Sequence, residues 1–260
     1  MLLTNSSLIK DSVSETQYFV VDEKVREINI PMNCEVNILL TSLPKEELHV
    51  NVDKNTNVLI SVLAKGNLEG SKLKISVLEN SHVEAYLADF TKGKEKFIFS
   101  GSLLERNATL NWHLSSLTAE SDDKKFDISV DHNVPSTFAK MENYGVCKDN
   151  GKLVFSGISS IIKGAKGSKT HQDSKIMVFD EASKGIANPI LKIDENDIEA
   201  SHAAVVGKIN DDHLFYLTSR GLTEAQAKEL ITFGYLKPII KGFIDENIKE
   251  EISLLIEGRM

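Results

Sequence analysis

The sequence predicts a mainly β protein that ends in a small α-helical domain. From about residue 35 to residue 207, short runs alternate apolar and polar residues, and this period of two is typical of half-buried strands. Asn, Asp, Gly and Ser interrupt the runs at intervals of roughly 8–12 residues, which predicts many short strands. From residue 211 onward the apolar residues recur at helical spacing instead. We therefore expect an ambiguous N-terminal segment at 1–34, a β core at 35–209 and a helical domain at 210–260.

The predicted strands are rich in β-branched residues, which favour extended backbone. In chain order they cover residues 36–42, 47–53, 57–64, 72–78, 82–89, 96–104, 108–114, 126–130, 137–144, 153–162, 175–179 and 190–193. Their even spacing fits a sandwich, a barrel or a β-helix. Only Asn150-Gly151 has the dipeptide typical of tight hairpins, which slightly favours a β-helix. No repeat of fixed length is visible, so a regular pentapeptide or hexapeptide helix is not supported.

Three helical segments are expected in the C-terminal domain. Residues 211–218 predict a first short helix. Thr223 and Gln226 have the spacing of a capping box, which predicts the start of a second helix. Asp245 is a plausible N-cap for a last helix, Glu246–Glu257, whose apolar residues fall on one face.

Composition and charge exclude several classes of function. The 260 residues are 41% hydrophobic and 26% charged, which is typical of a folded globular chain. The formal net charge of −8 disfavours binding to nucleic acids and to anionic membranes. The two cysteines, Cys34 and Cys147, exclude a disulfide scaffold and a zinc site made of four cysteines. No signal peptide or membrane-spanning apolar run is evident, so we expect a soluble protein of the cytoplasm or an organelle matrix or stroma.

Common catalytic motifs are not found in this sequence. It contains no P-loop, G-x-G-x-x-G, G-x-S-x-G or H-E-x-x-H pattern. A zinc site would need several histidines or carboxylates to converge in space, which the sequence does not reveal. The histidines are His49, His82, His113, His132, His171, His202 and His213. Taken singly, each is expected to be a surface or hydrogen-bonded core histidine.

One stretch is far more specific. Residues 189–222 read PILKIDENDIEASHAAVVGKINDDHLFYLTSRGL. This stretch resembles the C-terminal signature of the SufB/SufD family of iron–sulfur cluster assembly proteins, P-x-L-x-I-x-x-x-D-V-x-x-S-H-G-A-x-V-G-x-I-x-x-x-x-L-F-Y-L-x-S-R-G. The matching positions are Pro189, Leu191, Ile193, Asp197, Ser201, His202, Ala204, Val206, Gly207, Ile209, Leu214, Phe215, Tyr216, Leu217, Ser219, Arg220 and Gly221. A weaker match lies upstream, and the resemblance covers about residues 130–258.

Within that family the stretch is similar to SufD members. They share S-H-x-A-x-V-G, here beginning at Ser201, and a serine before the Arg-Gly pair, here Ser219. SufB members instead have E-H-E-A-T and a glutamine before Arg-Gly, and they have a cysteine a few strands before the histidine. Residues 148–201 contain no cysteine here. Because a thiolate is the natural soft ligand for iron and sulfur, the resemblance implies that this chain does not hold a cluster alone.

The resemblance implies a fold and a set of partners. The fold would be a right-handed parallel β-helix with a helical C-terminal domain. The chain would pair with SufB through the β-helix, and each of the two would bind one SufC, an ABC-type ATPase, through its C-terminal helices. ATP-driven closure of the SufC pair would reshape the interface where the cluster is built. The chain would be a non-catalytic scaffold associated with iron supply, with no tightly bound cofactor and only a transient cluster or iron at the subunit interface.

The resemblance also implies which residues matter. His202 matches the family histidine that faces the SufB cysteine, and a neutral imidazole is a good iron ligand. The alternative is that His202 only packs or hydrogen-bonds at the interface. The implied structural and interface positions are Arg220, Phe215, Tyr216, Gly207 and Gly221. Of these, we expect a buried Arg220 that pairs with a carboxylate or caps carbonyls, and core positions for Phe215 and Tyr216 that join the helical domain to the β core.

Two departures from the family pattern keep other functions open. Ala203 stands where the family has glycine, and the chain is short: its β pattern begins near residue 35, whereas family members commonly have an N-terminal helical region before it. A compact chain of this kind suits a homodimeric minimal scaffold with its own ATPase, or a metal-free β-helix adaptor. A polysaccharide-active enzyme on a β-helix would need paired carboxylates in one groove. The low aromatic content, 7%, argues against sugar stacking.

Overall fold

The computed structural model describes residues 2–3, 7–8, 17–21 and 24–260. They form a parallel β-helix, followed by three α-helices. This confirms the predicted fold class.

Each turn adds one strand to each of two sheets. Sheet A contains β1 (Leu2–Leu3), β3 (Gln17–Val21), β5 (Glu35–Leu40), β7 (Asn57–Ala64), β9 (His82–Asp89), β11 (Thr109–Thr118), β13 (Phe138–Cys147), β15 (Ser168–Val178) and β17 (Ile198–Lys208). Sheet B contains β2 (Ser7–Leu8), β4 (Glu27–Ile30), β6 (Glu47–Val52), β8 (Lys72–Val77), β10 (Lys94–Leu103), β12 (Asp123–His132), β14 (Lys152–Ile161) and β16 (Lys184–Ile193).

Each predicted run overlaps an observed strand, but β15 begins at Ser168 rather than residue 175, β16 begins at Lys184 rather than residue 190, and the strands at the two ends of the β-helix were not predicted. The sheets begin upstream of residue 35, since β3 and β4 pair with β5 and β6. At the other end, β17 was not among the predicted strands. It reads IEASHAAVVGK, in which four consecutive small or β-branched apolar residues replace the alternation. That pattern is lost because most side chains of β17 are exposed, whichever side of the sheet they are on.

The length of each turn explains why no fixed repeat is visible in the sequence. Asn57 pairs with His82, 25 residues later, whereas Phe138 pairs with Lys169, 31 residues later. The turns therefore lengthen along the chain, and the corners absorb the extra residues. Only the alternation within each strand is kept, because it decides which side chains face the interior.

One corner of the β-helix is built from asparagines in the left-handed conformation. Asn33, Asn55, Asn80 and Asn107 all have φ between 55° and 60°. Asparagine tolerates this region because its short amide can hydrogen-bond locally. The side chains also stack: Asn107 donates to Asn80 at 2.9 Å, and Asn80 donates to Asn55 at 3.2 Å. These asparagines therefore form the corner in successive turns of the β-helix, without the Asn-Gly dipeptides that are typical of hairpins.

Aromatic side chains fill the middle of the β-helix. Trp112 is fully buried and stacks on Phe99, with ring centroids 4.0 Å apart. Phe126 and Phe155 continue the packing in the next turns, with centroids 5.8 Å apart. Such aromatic pairs add stabilisation beyond the area that they bury.

The C-terminal domain begins directly after β17. It contains α1 (Asp211–Ser219), α2 (Glu224–Leu236), a 3-10 segment (Lys237–Gly242) and α3 (Glu246–Glu257). The capping box of Thr223 and Gln226 and the Asp245 cap are both present, as predicted. No helix in the described part of the chain is long and apolar enough to span a membrane.

The helical domain packs on the outer face of sheet A. Leu63, Leu117 and Val146 on the sheet meet Leu236 and Ile252 of the helices in one buried apolar cluster. Polar contacts fix the end of the chain: the buried Arg259 guanidinium pairs with Asp122, and Lys148 Nζ donates to the Met260 carbonyl at 2.6 Å. The domain is therefore held by an apolar centre and by ionic contacts near its last residues.

A buried ionic cluster lies at the corner next to this docking surface. Lys124 Nζ lies 2.7 Å from Asp89 Oδ2 and 3.9 Å from Glu95 Oε2, and all three side chains are fully buried. The Thr91 hydroxyl lies within hydrogen-bond distance of both carboxylates, 2.6 Å from Asp89 Oδ1 and 2.5 Å from Glu95 Oε1. Burial, and then the charge of Asp89, raises the pKa of Glu95 to about 7. One lysine therefore serves two carboxylates, and Glu95 keeps its proton in the folded state until the pH reaches about 7.

We expect Glu95→Gln to stabilise the protein at pH 8. An unfolded glutamate titrates near pH 4.5, so the folded state loses stability as the pH rises from about 4.5 to about 7. Glutamine avoids that loss, and we expect a gain of about 3 kcal/mol at pH 8 and little gain at pH 4. Urea unfolding at both pH values measures it, with the exposed Glu69→Gln as the control. An equal gain at both pH values would contradict a protonated Glu95.

Candidate functional site at the open end of the β-helix

The last turn of the β-helix is open. In the described chain, β17 pairs only with β15, and β16 pairs only with β14. The outer edge of each strand therefore has backbone groups without a neighbouring strand. An unpaired strand edge is a template for pairing with another chain. This end is the part of the β-helix that is suited to meeting a partner.

His202 lies on this last strand. It is in register with Gln172 of β15, which is in register with Met141 and, one turn further back, with Trp112. In those earlier turns the side chains at this register position face the interior, because Trp112, Met141 and Gln172 are all buried. His202 occupies the same register position but is exposed, since no further turn covers it. The histidine singled out in the sequence therefore lies at the mouth of the β-helix interior.

The interior beneath His202 is polar, unlike the aromatic middle of the β-helix. The Gln172 amide donates to Ser159 Oγ at 2.8 Å and to the Ile190 carbonyl at 3.0 Å. Its Oε1 is buried with no hydrogen-bond partner in the described structure. Gly157 makes room for this amide, because a β-carbon there would lie 2.8 Å from Oε1. A second buried chain links Trp112 to Asn143 and Asn143 to Ser174, each at 3.1 Å.

Exposed apolar side chains surround the open end. Val205 is 54% exposed and Val206 is 45% exposed on β17, and Ile190 is 44% exposed on β16. Large apolar groups at a sheet edge are typical of a surface that another protein covers. None of these three residues was predicted to be a site residue, although the uninterrupted Ala-Ala-Val-Val run of β17 distinguishes this strand from the others.

The expectation that Phe215 and Tyr216 belong to the core is wrong. Phe215 is 74% exposed and Tyr216 is 56% exposed, on a helix in which no residue is buried. The physical reason is that the helical domain packs on sheet A through α2, the 3-10 segment and α3, whereas α1 lies outside this contact. Both aromatic residues therefore add to the exposed apolar surface that follows β17.

The expectation for Arg220 is also wrong. Arg220 is exposed rather than buried, and its guanidinium lies over the Tyr216 ring, 5.2 Å from the centroid. Gly221 follows with φ of 98°, which glycine adopts without strain, and it turns the chain from α1 toward α2. Gly207 is in open space, since a β-carbon there would meet nothing within 4 Å.

Arg220 and Gly221 also line a cavity of about 430 Å³ in the helical domain, together with Leu222, Gln226, Glu229, Leu230, Phe233 and Glu257. Leu230 is 51% exposed at its edge. Residues 230–236 therefore contribute both to the core and to the surface of the helical domain. Leu236 is core, whereas Leu230 is surface.

Within residues 24–260, no three His, Cys, Asp or Glu side chains are grouped so that they could hold a metal ion. Both cysteines are buried. Burial raises the pKa of the Cys147 thiol, and its S–H contacts the Gly151 carbonyl at 2.9 Å. A metal at this end would therefore need ligands from outside the described chain in addition to His202.

Comparisons with known proteins agree with the sequence signature. Residues 8–235 match the family model for the SufBD core domain of the SUF system for iron–sulfur cluster assembly. The iron–sulfur cluster assembly protein SufD of Bacillus subtilis is 38% identical over 117 residues, which are 45% of this chain and 27% of that protein. SufD of Escherichia coli is 27% identical over 221 residues, 77% of this chain and 51% of that protein. The chain thus spans between about a quarter and about half of these two relatives.

Proposed function

The chain is a SufD-like member of the SufB/SufD family of iron–sulfur cluster assembly proteins, and on that premise we propose that it is a non-catalytic scaffold subunit of a cluster assembly complex. In this proposal it pairs with a SufB-like subunit and with a SufC-type ABC ATPase, and it contributes to iron supply and cluster formation. The observation that carries the proposal is the open last turn, which presents His202 among unpaired strand edges and exposed valines. The complex would work in the cytoplasm, or in an organelle matrix or stroma.

The shape of the open end supports pairing through the β-helix. An incoming strand can bond to the free edge of β17 or β16, and its side chains can cover Val205, Val206 and Ile190. Backbone hydrogen bonds would then provide affinity, and the apolar contacts would favour one register. Because β17 contains both the edge and His202, pairing would bring the imidazole directly to the interface.

Iron or the nascent cluster would be the cargo at this interface. One neutral imidazole suits iron, but a stable site needs further ligands, and thiolates are the usual ones for clusters. Neither cysteine of this chain is placed to provide one, since Cys34 and Cys147 are both buried. The proposal therefore assigns the thiolate to the partner and His202 to this chain.

The helical domain is the proposed ATPase-docking element. It presents a cavity with apolar and charged lining, and Leu230 and Leu254 are 51% and 60% exposed on two of its helices. The domain is anchored to sheet A by a buried apolar cluster, so a force applied to the helices would be transmitted to the β-helix. ATP-driven movement of the ATPase would in this way reach the interface at β17.

A homodimeric minimal scaffold is the second candidate. The free edges of β16 and β17 are available to a second copy of this chain as well as to a SufB-like subunit. In that case an ABC ATPase specific to this scaffold would bind both copies of the chain. A metal-free adaptor would use the same surfaces but would not need His202.

We expect Val205→Glu to abolish pairing at the open end. A carboxylate at this position would be buried without a partner in the paired complex, which costs several kcal/mol. Co-purification of the SufB-like subunit, or of a differently tagged second copy, should fall at least tenfold. Leu104→Glu is the matched control, because Leu104 is 40% exposed and directly follows β10, which β12 and β14 separate from β16 at the open end. Retained pairing in Val205→Glu would show that the interface lies elsewhere.

His202→Ala should leave the complex intact but lower its iron and acid-labile sulfide content severalfold. The small side chain removes the imidazole without disturbing the core, since His202 is exposed. His213→Ala, an exposed histidine in α1, is the control and should retain wild-type content. Iron and sulfide are measured in complexes isolated without oxygen. Unchanged content in His202→Ala would leave His202 with a packing role only.

Leu230→Glu should weaken ATPase binding about tenfold or more while pairing at β17 persists. The substitution puts a charge on the edge of the helical cavity, and glutamate favours helices nearly as well as leucine, so α2 should stay folded. Binding of a purified SufC-type ATPase by isothermal titration calorimetry measures the effect, with Met32→Glu as an exposed control. Equal affinity for both variants would exclude this face as the docking site.

A further inference from the structure

His113 lies between two carboxylates on the outer face of sheet A. Its Nε2 is 3.0 Å from Glu84 Oε2, and its Nδ1 is 3.0 Å from Glu142 Oε2. Both ring nitrogens can donate only when the imidazole is protonated. The side chain is 19% exposed, so solvent screens these contacts only weakly. The geometry is that of an imidazolium shared by β9 and β13.

The neighbouring charges reinforce this arrangement. Burial alone would raise the pKa of Glu84, but hydrogen bonds from His113, His82 and Asn111 outweigh it and lower that pKa to about 2. Hydrogen bonds from His113 and then from Lys140 lower the pKa of Glu142 to about 2. Burial opposes the charge of His113, but its two carboxylate partners outweigh burial and raise its pKa. Both carboxylates therefore stay ionised near neutral pH, whereas His113 can change its charge.

Tyr86 connects this cluster to the helical domain. Its ring stacks on the His113 ring, with centroids 4.3 Å apart and an interplanar angle of 13°. Gly242, at the end of the 3-10 segment, packs on the same tyrosine so closely that a β-carbon there would overlap the ring. Ser61 donates a hydrogen bond to the Gly242 carbonyl. The next residue, Phe243, is buried in the apolar cluster that holds the helical domain.

We propose that His113 is a pH-sensitive support for the helical domain, acting through Tyr86 on the docking of residues 237–243 against sheet A. A neutral imidazole can donate to only one of its two carboxylates, so its lone pair faces the other at 3.0 Å. That contact is repulsive, and either the ring or the carboxylate must move. A moved ring disturbs the Tyr86 stack on which Gly242 rests.

The sign of the effect follows from the charges. A histidine whose pKa is raised in the folded state stabilises docking fully below about pH 6.5, and this stabilisation is lost as the pH rises through the folded pKa. Tyr86 does not ionise in this window, because burial and then the nearby Glu84 and Glu142 raise its pKa to about 12. The other charged or titratable groups around the cluster are His82 on β9, Lys140 on β13, Asp173 and Lys175 on β15, Tyr235 on α2, and Lys237 and Lys241 on the 3-10 segment.

Hydrogen–deuterium exchange of the full chain tests the proposal without any partner or cluster. Protection of the amides at 239–243, corrected for the pH dependence of intrinsic exchange, is compared at about pH 6 and about pH 9.5. Wild-type protection should fall severalfold between the two pH values, because the raised pKa of His113 favours docking only while the imidazole is protonated. His113→Lys keeps a positive charge at both pH values and should stay protected. His113→Gln should be weakly protected at both.

His49→Gln is the control, because His49 lies on sheet B and should leave the wild-type response unchanged. If His113→Gln does not fold, Glu142→Gln replaces it and should move the wild-type midpoint to lower pH. Equal wild-type protection at both pH values would overturn the proposal. A wild-type response in His113→Gln or His113→Lys, or an unmoved midpoint in Glu142→Gln, would also overturn it.

Discussion

A parallel β-helix satisfies the backbone of each turn through the turns before and after it, so its last turn has free hydrogen-bonding groups. In this chain that turn is β16 and β17. The exposure of His202 and of the valines beside it follows from this one constraint. The helical domain packs beside sheet A rather than over the end, so the free edges remain open.

Most strands of the β-helix could be predicted from the alternation of apolar and polar residues. In each inner turn, one side of the strand faces the buried interior and the other side faces outward. The same rule failed for β17, where both sides are largely exposed and alternation has no physical basis. The repeat could not be found either, because the length of a turn varies, for example from 19 residues between β3 and β5 to 32 residues between β14 and β16, and the register is kept through corners of changing length. Helix starts were predictable from Thr223 and Asp245, since capping depends only on local chemistry.

The candidate site was predictable only in part. The family signature identified His202, but composition and spacing did not show which side chains would lie near it. Phe215 and Tyr216 were predicted to be buried, but apolar residues on a helix are buried only if that face meets another surface. Gln172 shows the opposite difficulty: a polar residue in a strand is expected outside, yet here it is buried against Gly157.

The most direct test of the account is whether the open end works as an assembly surface. The chain would be co-expressed with candidate SufB-like and SufC-type partners and isolated without oxygen, and co-purifying subunits, iron and acid-labile sulfide would be measured. The account predicts a stable complex that contains the ATPase, iron and sulfide. A lone chain free of iron and sulfide would contradict the scaffold function, although the fold and the family would stand.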